Sequence, residues 1–457
     1  MTAETIYALS TAPGKAGVAV IRVSGPGAHE SFRALTGRRH ALDPRRTALM
    51  KITDPQSGTM IDEAMIILFR GPESFTGEDV AEYHVHGSIA VTEALLRALS
   101  HQPRHRMAQP GEFTRHAFEN GKMDLTEAEA VADLIDAETE AQRDQALQQM
   151  GGALSRLYEG WRTELARALA YIEAVIDFPE EDVPDSEITK VAPALELLQQ
   201  QIAAHLDDGR RGERLRHGLK VAVIGAPNAG KSSLVNTLAQ RDIAIVSDLA
   251  GTTRDVIDVH LNIGGYPVIL SDTAGLRPEE LKPGATKETQ QEASSHDTIE
   301  REGIRRARER AQEADIRLLV FDAAETTPDA ATQALENDSA IRIMNKADIA
   351  ASQYKSGEAI FISAKTGQGI ETLLETLTNK LKTMIGVSRE TPSLTRARHR
   401  EALEACQSHI GRCLAATIPE LAAEELRLAV RELGRITGRV DVEDLLDIIF
   451  RDFCIGK

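Results

Sequence analysis

The sequence predicts a multidomain α/β plus all-α protein: an N-terminal α/β domain, a discontinuous helical domain, and a phosphate-loop α/β domain inserted between the two helical parts. Three observations predict it. The 457 residues suffice for about three domains. Strand-like runs punctuated by Gly and Pro fill residues 1–120, whereas apolar residues at helical spacing fill 121–216 and 385–457. Between those helical parts, residues 217–384 alternate short apolar runs with the short motifs of a nucleotide site.

In the first region, Val18–Val23 and Ala64–Phe69 read as strands. Val80–His86 alternates: Ala81, Tyr83 and Val85 face one way, and Glu82, His84 and His86 the other. Helices begin at Asp124, which with Glu127 reads as an N-cap and its box partner. Leu154, Leu157, Trp161, Leu165, Leu169, Ile172 and Ile176 form one apolar stripe. Leu421, Leu426, Val430 and Leu433 form a later one. Because the termini of compact domains often lie close together, an insertion of 217–384 into one helical domain is the simplest organisation.

The chemistry is concentrated in 217–384. Gly225-Ala226-Pro227-Asn228-Ala229-Gly230-Lys231-Ser232 follows an apolar strand and precedes Ser233 and a helix-forming run, the context a phosphate loop requires. Its glycines let backbone N–H groups wrap an anion. Lys231 reaches β- and γ-phosphates, and Ser232 ligates Mg²⁺. Asp272-Thr273-Ala274-Gly275 ends a strand, where a carboxylate holds Mg²⁺ through water and Gly275 offers an N–H to the γ-phosphate. In Asn345-Lys346-Ala347-Asp348, the Asp348 carboxylate can accept from guanine N1–H and N2–H₂, donors that adenine lacks. Ser363-Ala364-Lys365 reads as the guanine-supporting loop. The four motifs, in this order and each at a strand end, predict a GTPase.

Composition excludes several other classes. Net charge is −17, and residues 121–216 carry twenty-one acidic against ten basic side chains. A broad basic face for nucleic acid is therefore not expected, and any RNA contact must be local. Two basic clusters, Arg210/Arg211/Arg214/Arg216 and Arg396/Arg398/His399/Arg400, read as solvated helix ends. Cys406, Cys413 and Cys454 are too few for a disulfide framework; the first two read as core residues, and a reducing cytoplasm is the expected location. No run approaches the roughly 20 apolar residues of a membrane span, so no membrane partner is expected. His84 and His86 share a strand face without a clear third ligand, so a metal there is not favoured. The apolar tail Phe453-Cys454-Ile455 is expected to dock rather than to fray.

Several further stretches carry a resemblance. These are Ala12-Pro13-Gly14, Arg22-Val23-Ser24-Gly25, Ser74-Phe75-Thr76-Gly77-Glu78-Asp79, Pro110-Gly111-Glu112-Phe113, Ala132–Ala137, Gly251-Thr252-Thr253-Arg254-Asp255 and the terminal Cys454-Ile455-Gly456-Lys457. With them, nearly the whole chain resembles the MnmE (TrmE) family of bacterial tRNA-modification GTPases. The resemblance implies domains at 1–120 (tetrahydrofolate-binding and dimerising), 121–216 and 385–457 (helical) and 217–384 (Ras-like GTPase). It implies a homodimer that works with MnmG, an FAD- and NADH-dependent partner, on tRNA. Together they add an aminomethyl or carboxymethylaminomethyl group to C5 of the wobble uridine. The one-carbon unit would come from a tetrahydrofolate derivative, in 5-formyl or methylene form, held by Arg22, Glu82, Lys122 and Lys457.

For GTP hydrolysis the resemblance implies K⁺ at Asn228, Ser247, Leu249 and Thr252, with Thr253 joining Ser232 on Mg²⁺. Leu276 stands where Ras-like enzymes carry a water-orienting Gln. Glu300 matches the family's catalytic Glu, but residues 278–297 look like an insertion, and Glu288 and Glu292 lie nearby. Two rival readings are a ribosome-assembly GTPase with RNA-binding appendages, disfavoured by the missing basic face, and a noncatalytic folate-binding scaffold.

Overall fold

In the computed structural model, the described residues are 4–40, 42–177, 185–243, 258–272, 309, 311–325, 327–349, 359–386, 392–440, 443–451 and 453–456. The chain divides into two compact units. One comprises 1–132, 149–200 and 402–457; the other comprises 133–148 and 201–401.

The elements run β1 (Thr5–Leu9), β2 (Ala16–Ser24), α1 (Ala28–Thr36), β3 (Thr47–Thr53), β4 (Met60–Phe69), β5 (Val80–Gly87), α2 (Ile89–Ser100), β6 (His105–Met107), α3 (Glu112–Glu119) and α4 (Leu125–Ile135). There follow α5 (Glu140–Met150), α6 (Ala153–Asp177), α7 (Asp185–Leu206), α8 (Arg211–His217), β7 (Leu219–Ile224), α9 (Lys231–Leu238), β8 (Asp258–Ile263) and β9 (Tyr266–Asp272). The last are β10 (Ile316–Asp322), α10 (Ala330–Gln333), β11 (Ala340–Asn345), β12 (Ile360–Phe361), α11 (Ile370–Ile385), α12 (Ala397–Ala415), α13 (Pro419–Thr437) and α14 (Glu443–Arg451).

The first unit is built on a six-stranded sheet, order β3-β4-β5-β2-β1-β6, antiparallel except for the β1–β6 pair. The alternation read in β5 is real: Ala81, Tyr83 and Val85 are buried, and His86 is exposed. Phe32, Leu35, Leu95 and Leu99 from α1 and α2 close that inner face over Ile21, Ile52, Ile66 and Leu68. Each such side chain contributes about 1.5–3 kcal/mol on burial. The opposite face, which carries Arg22, Glu82, His84 and His86, also has an apolar patch on β3 and β4. Leu49 and Met65 sit directly across from each other, 67% and 50% exposed.

Asp124 and Glu127 form the expected capping box: each side chain accepts the other's backbone N–H, at 3.0 and 2.9 Å. Leu154, Tyr158, Trp161 and Leu165 of α6 are buried, as are Leu426 and Leu433 of α13, the helix paired most extensively with α6. Leu421 departs from its predicted stripe and is 56% exposed, because it lies in the first turn of α13 only two residues before Ala423, which puts it roughly on the opposite side of the helix from where the burial run begins. Cys406 and Cys413 are core residues as expected, and burial pushes their thiols up to about 12 and about 11.

The tail docks. Phe450 and Phe453 pack with Leu125 and Ala128, Ile455 bridges Pro110, and Ser10 Oγ donates to Gly456 O at 2.9 Å. Gly456 has φ +96°, and a Cβ there would strike the Leu9 carbonyl.

The second unit holds a six-stranded sheet, order β12-β11-β10-β7-β9-β8, parallel except for the β8–β9 hairpin. One face buries Leu234, Leu238, Leu373 and Leu377, and the other buries Phe321 and Met344. A parallel sheet covered on both sides requires continuous apolar strands, which β7 and β10 supply.

Candidate functional site

β7 ends at Ile224, and the loop 225–230 delivers the chain to α9, whose N-cap is Gly230 at φ +91°. A Cβ at Gly230 would collide with the Asn345 amide, so only glycine allows this approach. Asn228 sits at the tip, exposed, with φ +65°. Lys231 is buried, and its ammonium donates to Gly225 O and Ala226 O, both at 2.9 Å. Ala229 is buried beneath the loop, Ser232 is half-buried and Ser233 is exposed.

Asn345 ends β11 and is almost fully buried. Its Nδ2 donates to Ala229 O at 2.9 Å, and its Oδ1 accepts from Ala364 N–H at 3.0 Å. One side chain thus holds the phosphate loop and the 363–365 loop together. Ser363 is buried, with its Oγ accepting from Thr366 N–H, and Lys365 is exposed. Lys346 has φ +65° and donates to Asp322 at 2.5 Å. Burial of Asp322 opposes its ionisation, but Lys346 holds its carboxyl below the usual carboxylate range. Asp348 is exposed at the same strand end. Ser247, Leu249, Thr252, Thr253, Thr273, Ala274, Gly275, Glu300, with its neighbours Glu288 and Glu292, and Lys457 lie outside the described residues, as does the side chain of Asp272.

In the first unit, Arg22 on β2 donates to Glu82 on β5 at 2.9 Å, across a register pair. The Arg22 guanidinium lies 5.3 Å from the Phe75 ring centroid and 5.7 Å from that of Phe113. Lys122 is exposed and donates to Pro72 O at 2.9 Å, at the start of the loop that carries Phe75. The docked tail reaches β1, where Ala8 pairs with Arg22. His84 faces Glu82 at 3.5 Å, and His86 pairs with Asp62 at 2.9 Å.

Sequence reasoning missed a polar network beside this region. Arg106 binds Glu112 through two nitrogens, at 2.9 and 2.5 Å, and Glu4 at 2.6 Å. Burial opposes Glu112's ionisation, yet Arg106 and the Gln109 N–H hold its pKa down. His116 Nδ1 lies 3.1 Å from Glu78, whose carboxylate also accepts from Ser24 Oγ at 2.8 Å. That Glu78 bond raises the pKa of His116 above its ordinary value. Burial works against Glu78's charge, but His116 and Ser24 keep its pKa low. The available signal was the pair of motifs that contain Glu78 and Glu112.

The two basic clusters are not solvated helix ends. Arg216 and Arg396 both donate to Asp133 Oδ1, at 2.8 and 2.7 Å. Arg400 is 11% exposed and binds Asp208 and Glu213 at 2.8 and 2.9 Å. Arg214 pairs with Asp315 at 3.0 Å, and Arg211 donates to Asp208 O. Dense local carboxylates claimed these guanidiniums for the fold.

A glycine-lined loop between a parallel strand and a helix, tied through one buried Asn to the loops at the ends of β11 and β12, defines the class: a phosphate-loop nucleotide-binding protein. Residues 5–122 match the family described as GTP-binding protein TrmE N-terminus, and residues 125–454 match the MnmE helical domain. The chain is 56% identical over 99% of its length to the whole of the tRNA modification GTPase MnmE of Parvibaculum lavamentivorans. It is 48% identical over its full length to the whole of the same-named protein of Rhodospirillum rubrum. It is also 46% identical, over 99% of this chain and 93% of the other, to the mitochondrial 5-taurinomethyluridine-[tRNA] synthase subunit GTPB3 of Danio rerio. Among solved structures, the G domain of the T. maritima FeoB iron transporter is similar to 37% of the chain and matched over its whole length, at 24% identity and TM-score 0.24. The chain belongs to the MnmE (TrmE) family.

Proposed function

We propose that this chain hydrolyses GTP to drive modification of the wobble uridine of tRNA at C5. The names of its relatives support this: two are tRNA modification GTPases, and the zebrafish protein is a subunit of a synthase of a 5-substituted uridine. The observation that carries the nucleotide part is Lys231, whose ammonium is held by the carbonyls of its own loop. β- and γ-phosphate oxygens would take over those hydrogen bonds, and the loop N–H groups would supply the rest. Mg²⁺, at Ser232 and Thr253, would neutralise the phosphates. K⁺, at Asn228 and the backbone of Ser247 and Leu249 with Thr252, would supply positive charge against the transition state. Glu300 would orient water, with Glu288 and Glu292 as alternatives. Asp348 would read guanine, on a loop whose Lys346 is fixed by Asp322.

The Arg22–Glu82 pair, roofed by Phe75 and Phe113, fits a folate, which offers N–H donors to a carboxylate and carboxylates to a guanidinium. Lys122 and Lys457 would join them. The folate supplies a one-carbon unit. The apolar outer face around Leu49 and Met65 supports a homodimer through the N-terminal sheet. The family resemblance supports MnmG as the flavin-bearing partner, a cytoplasmic location, and domains at 1–120, 121–216, 217–384 and 385–457.

Asp348→Asn should lower GTP affinity by a hundredfold or more and favour xanthosine triphosphate, whose O2 accepts from the new amide. Equal GTP affinity in wild type and variant would remove the base reading. Nucleoside analysis of tRNA from a strain lacking the gene tests the rest: an unchanged wobble uridine would reject it.

A further inference from the structure

The strongest unassigned feature is a basic strap between α1 and β3. Residues 38–46 contain Arg38, Arg39, His40, Arg45 and Arg46 against a single acid, Asp43, in a chain of net charge −17. All five basic residues are exposed. Among the described residues, Arg38 and Arg39 make no ion pair. Arg46 reaches Asp43 only at 3.9 Å with both side chains 80% exposed, and Arg45 donates to Glu73 O at 2.9 Å and lies 3.5 Å from the Glu73 carboxylate. Leu42, in the middle, packs against the core of the N-terminal sheet and pins the strap. The seven steps from Arg38 to Arg45 span at most about 25 Å when extended, and the strap leads into the edge strand β3.

The turn that ends the strap adds a second observation. Asp43 and Arg46 are joined by an N–H to carbonyl bond of 3.2 Å, with Pro44 and Arg45 between them. Arg45 has φ +62°, the conformation that such turns give to glycine or asparagine. In that conformation the Arg45 guanidinium holds the Glu73 carbonyl, and its side chain stays 62% exposed.

We propose that this strap grips the phosphate backbone of tRNA. The proposal rests on the reading that the chain acts on tRNA and deepens it by naming where. Guanidiniums pair phosphates through two N–H groups, and a pinned row of them tracks a backbone without reading sequence. The arginines around the nucleotide sheet are engaged by Asp133, Asp208, Glu213 and Asp315, whereas the strap clusters cationic groups that face solvent with little competition.

The test is fluorescence anisotropy of a labelled tRNA transcript with the full-length protein, across a series of KCl concentrations. Changing Arg38, Arg39, Arg45 and Arg46 together to Gln should weaken binding about ten- to a hundredfold near 100 mM salt. The slope of log affinity on log salt should fall by about 3, four contacts' worth. The four Arg→Lys changes should keep most of that slope. Arg45→Gly alone should weaken binding without lowering Tm, since it relaxes the turn. Arg38→Gln with Arg39→Gln, which lose no ion pair among the described residues, guards against misfolding of the quadruple variant. GTP turnover should stay within twofold throughout. Unchanged affinity and slope in the Gln variants would overturn the strap. So would a wild-type protein whose tRNA binding is absent or insensitive to salt; the tRNA-modification reading would then stand or fall separately on the wobble nucleosides.

Discussion

Two groups of arginines, equally dense in the sequence, have opposite fates. Around the nucleotide sheet, Arg214, Arg216, Arg396 and Arg400 each bind a carboxylate at 3.0 Å or less. On the N-terminal domain, Arg38, Arg39, Arg45 and Arg46 face water. The difference lies in the acids. Residues 121–216 are rich in them, and the fold delivers Asp133, Asp208 and Glu213 to the first group. The strap has only Asp43 along its length, with Glu73 nearby, and both are highly exposed. A run of arginines is thus a demand for anions, and the supply within the chain decides whether a partner is needed.

The largest effect that would sharpen this contrast is at Arg400. Arg400→Met strands the buried Asp208 and the half-buried Glu213, and breaking a buried pair from one side costs about 3–5 kcal/mol. Chemical denaturation should show that loss. A change below 1 kcal/mol would mean that this cluster is as dispensable as the strap.

The next effect is smaller and depends on pH. His116 has a raised pKa through Glu78, so its stabilisation is complete below its unfolded value near 6.5 and is lost as pH rises through the folded value. Glu78 has a lowered pKa, so its share is lost as pH falls below its unfolded value of about 4.5. His116→Gln should therefore lower stability most between about pH 5 and 6.5, by about 1 kcal/mol, with the gap closing at alkaline pH. A pH-independent difference in Tm would assign His116 a packing role alone.

The smallest effect belongs to the strap. Arg39→Gln should move Tm by no more than about 2 °C and leave GTP affinity unchanged. A drop comparable to that of Arg400→Met would break the comparison outright.

The sequence makes the phosphate loop legible because its chemistry is contiguous: Gly225 to Ser232 carry the turn, the cation and the helix start together. The Asp124–Glu127 box and the β5 alternation are legible for the same reason, since each is settled within a few residues. The ties at Asp133 are not. Arg396 lies 263 residues from it, and no local pattern announces that pairing. Nor does the pattern show that Asn345, read as part of a base motif, spends its side chain joining a loop 116 residues before it to one 19 residues after it. The N-terminal candidate was half legible: alternation placed Glu82 on the free face, but only the β2–β5 register sets Arg22 opposite it.

The docked tail has a consequence in time. Ser10 and Gly456 are 446 residues apart, yet they are hydrogen-bond partners. At the roughly 5–20 residues per second of synthesis, Ser10 emerges about 20–90 s before Gly456 exists. Through that interval Pro110 lacks its bridge to Ile455, and Leu125 and Ala128 wait for Phe450 and Phe453. The sheet that carries Ser10 is made long before the segment around Gly456 that completes it.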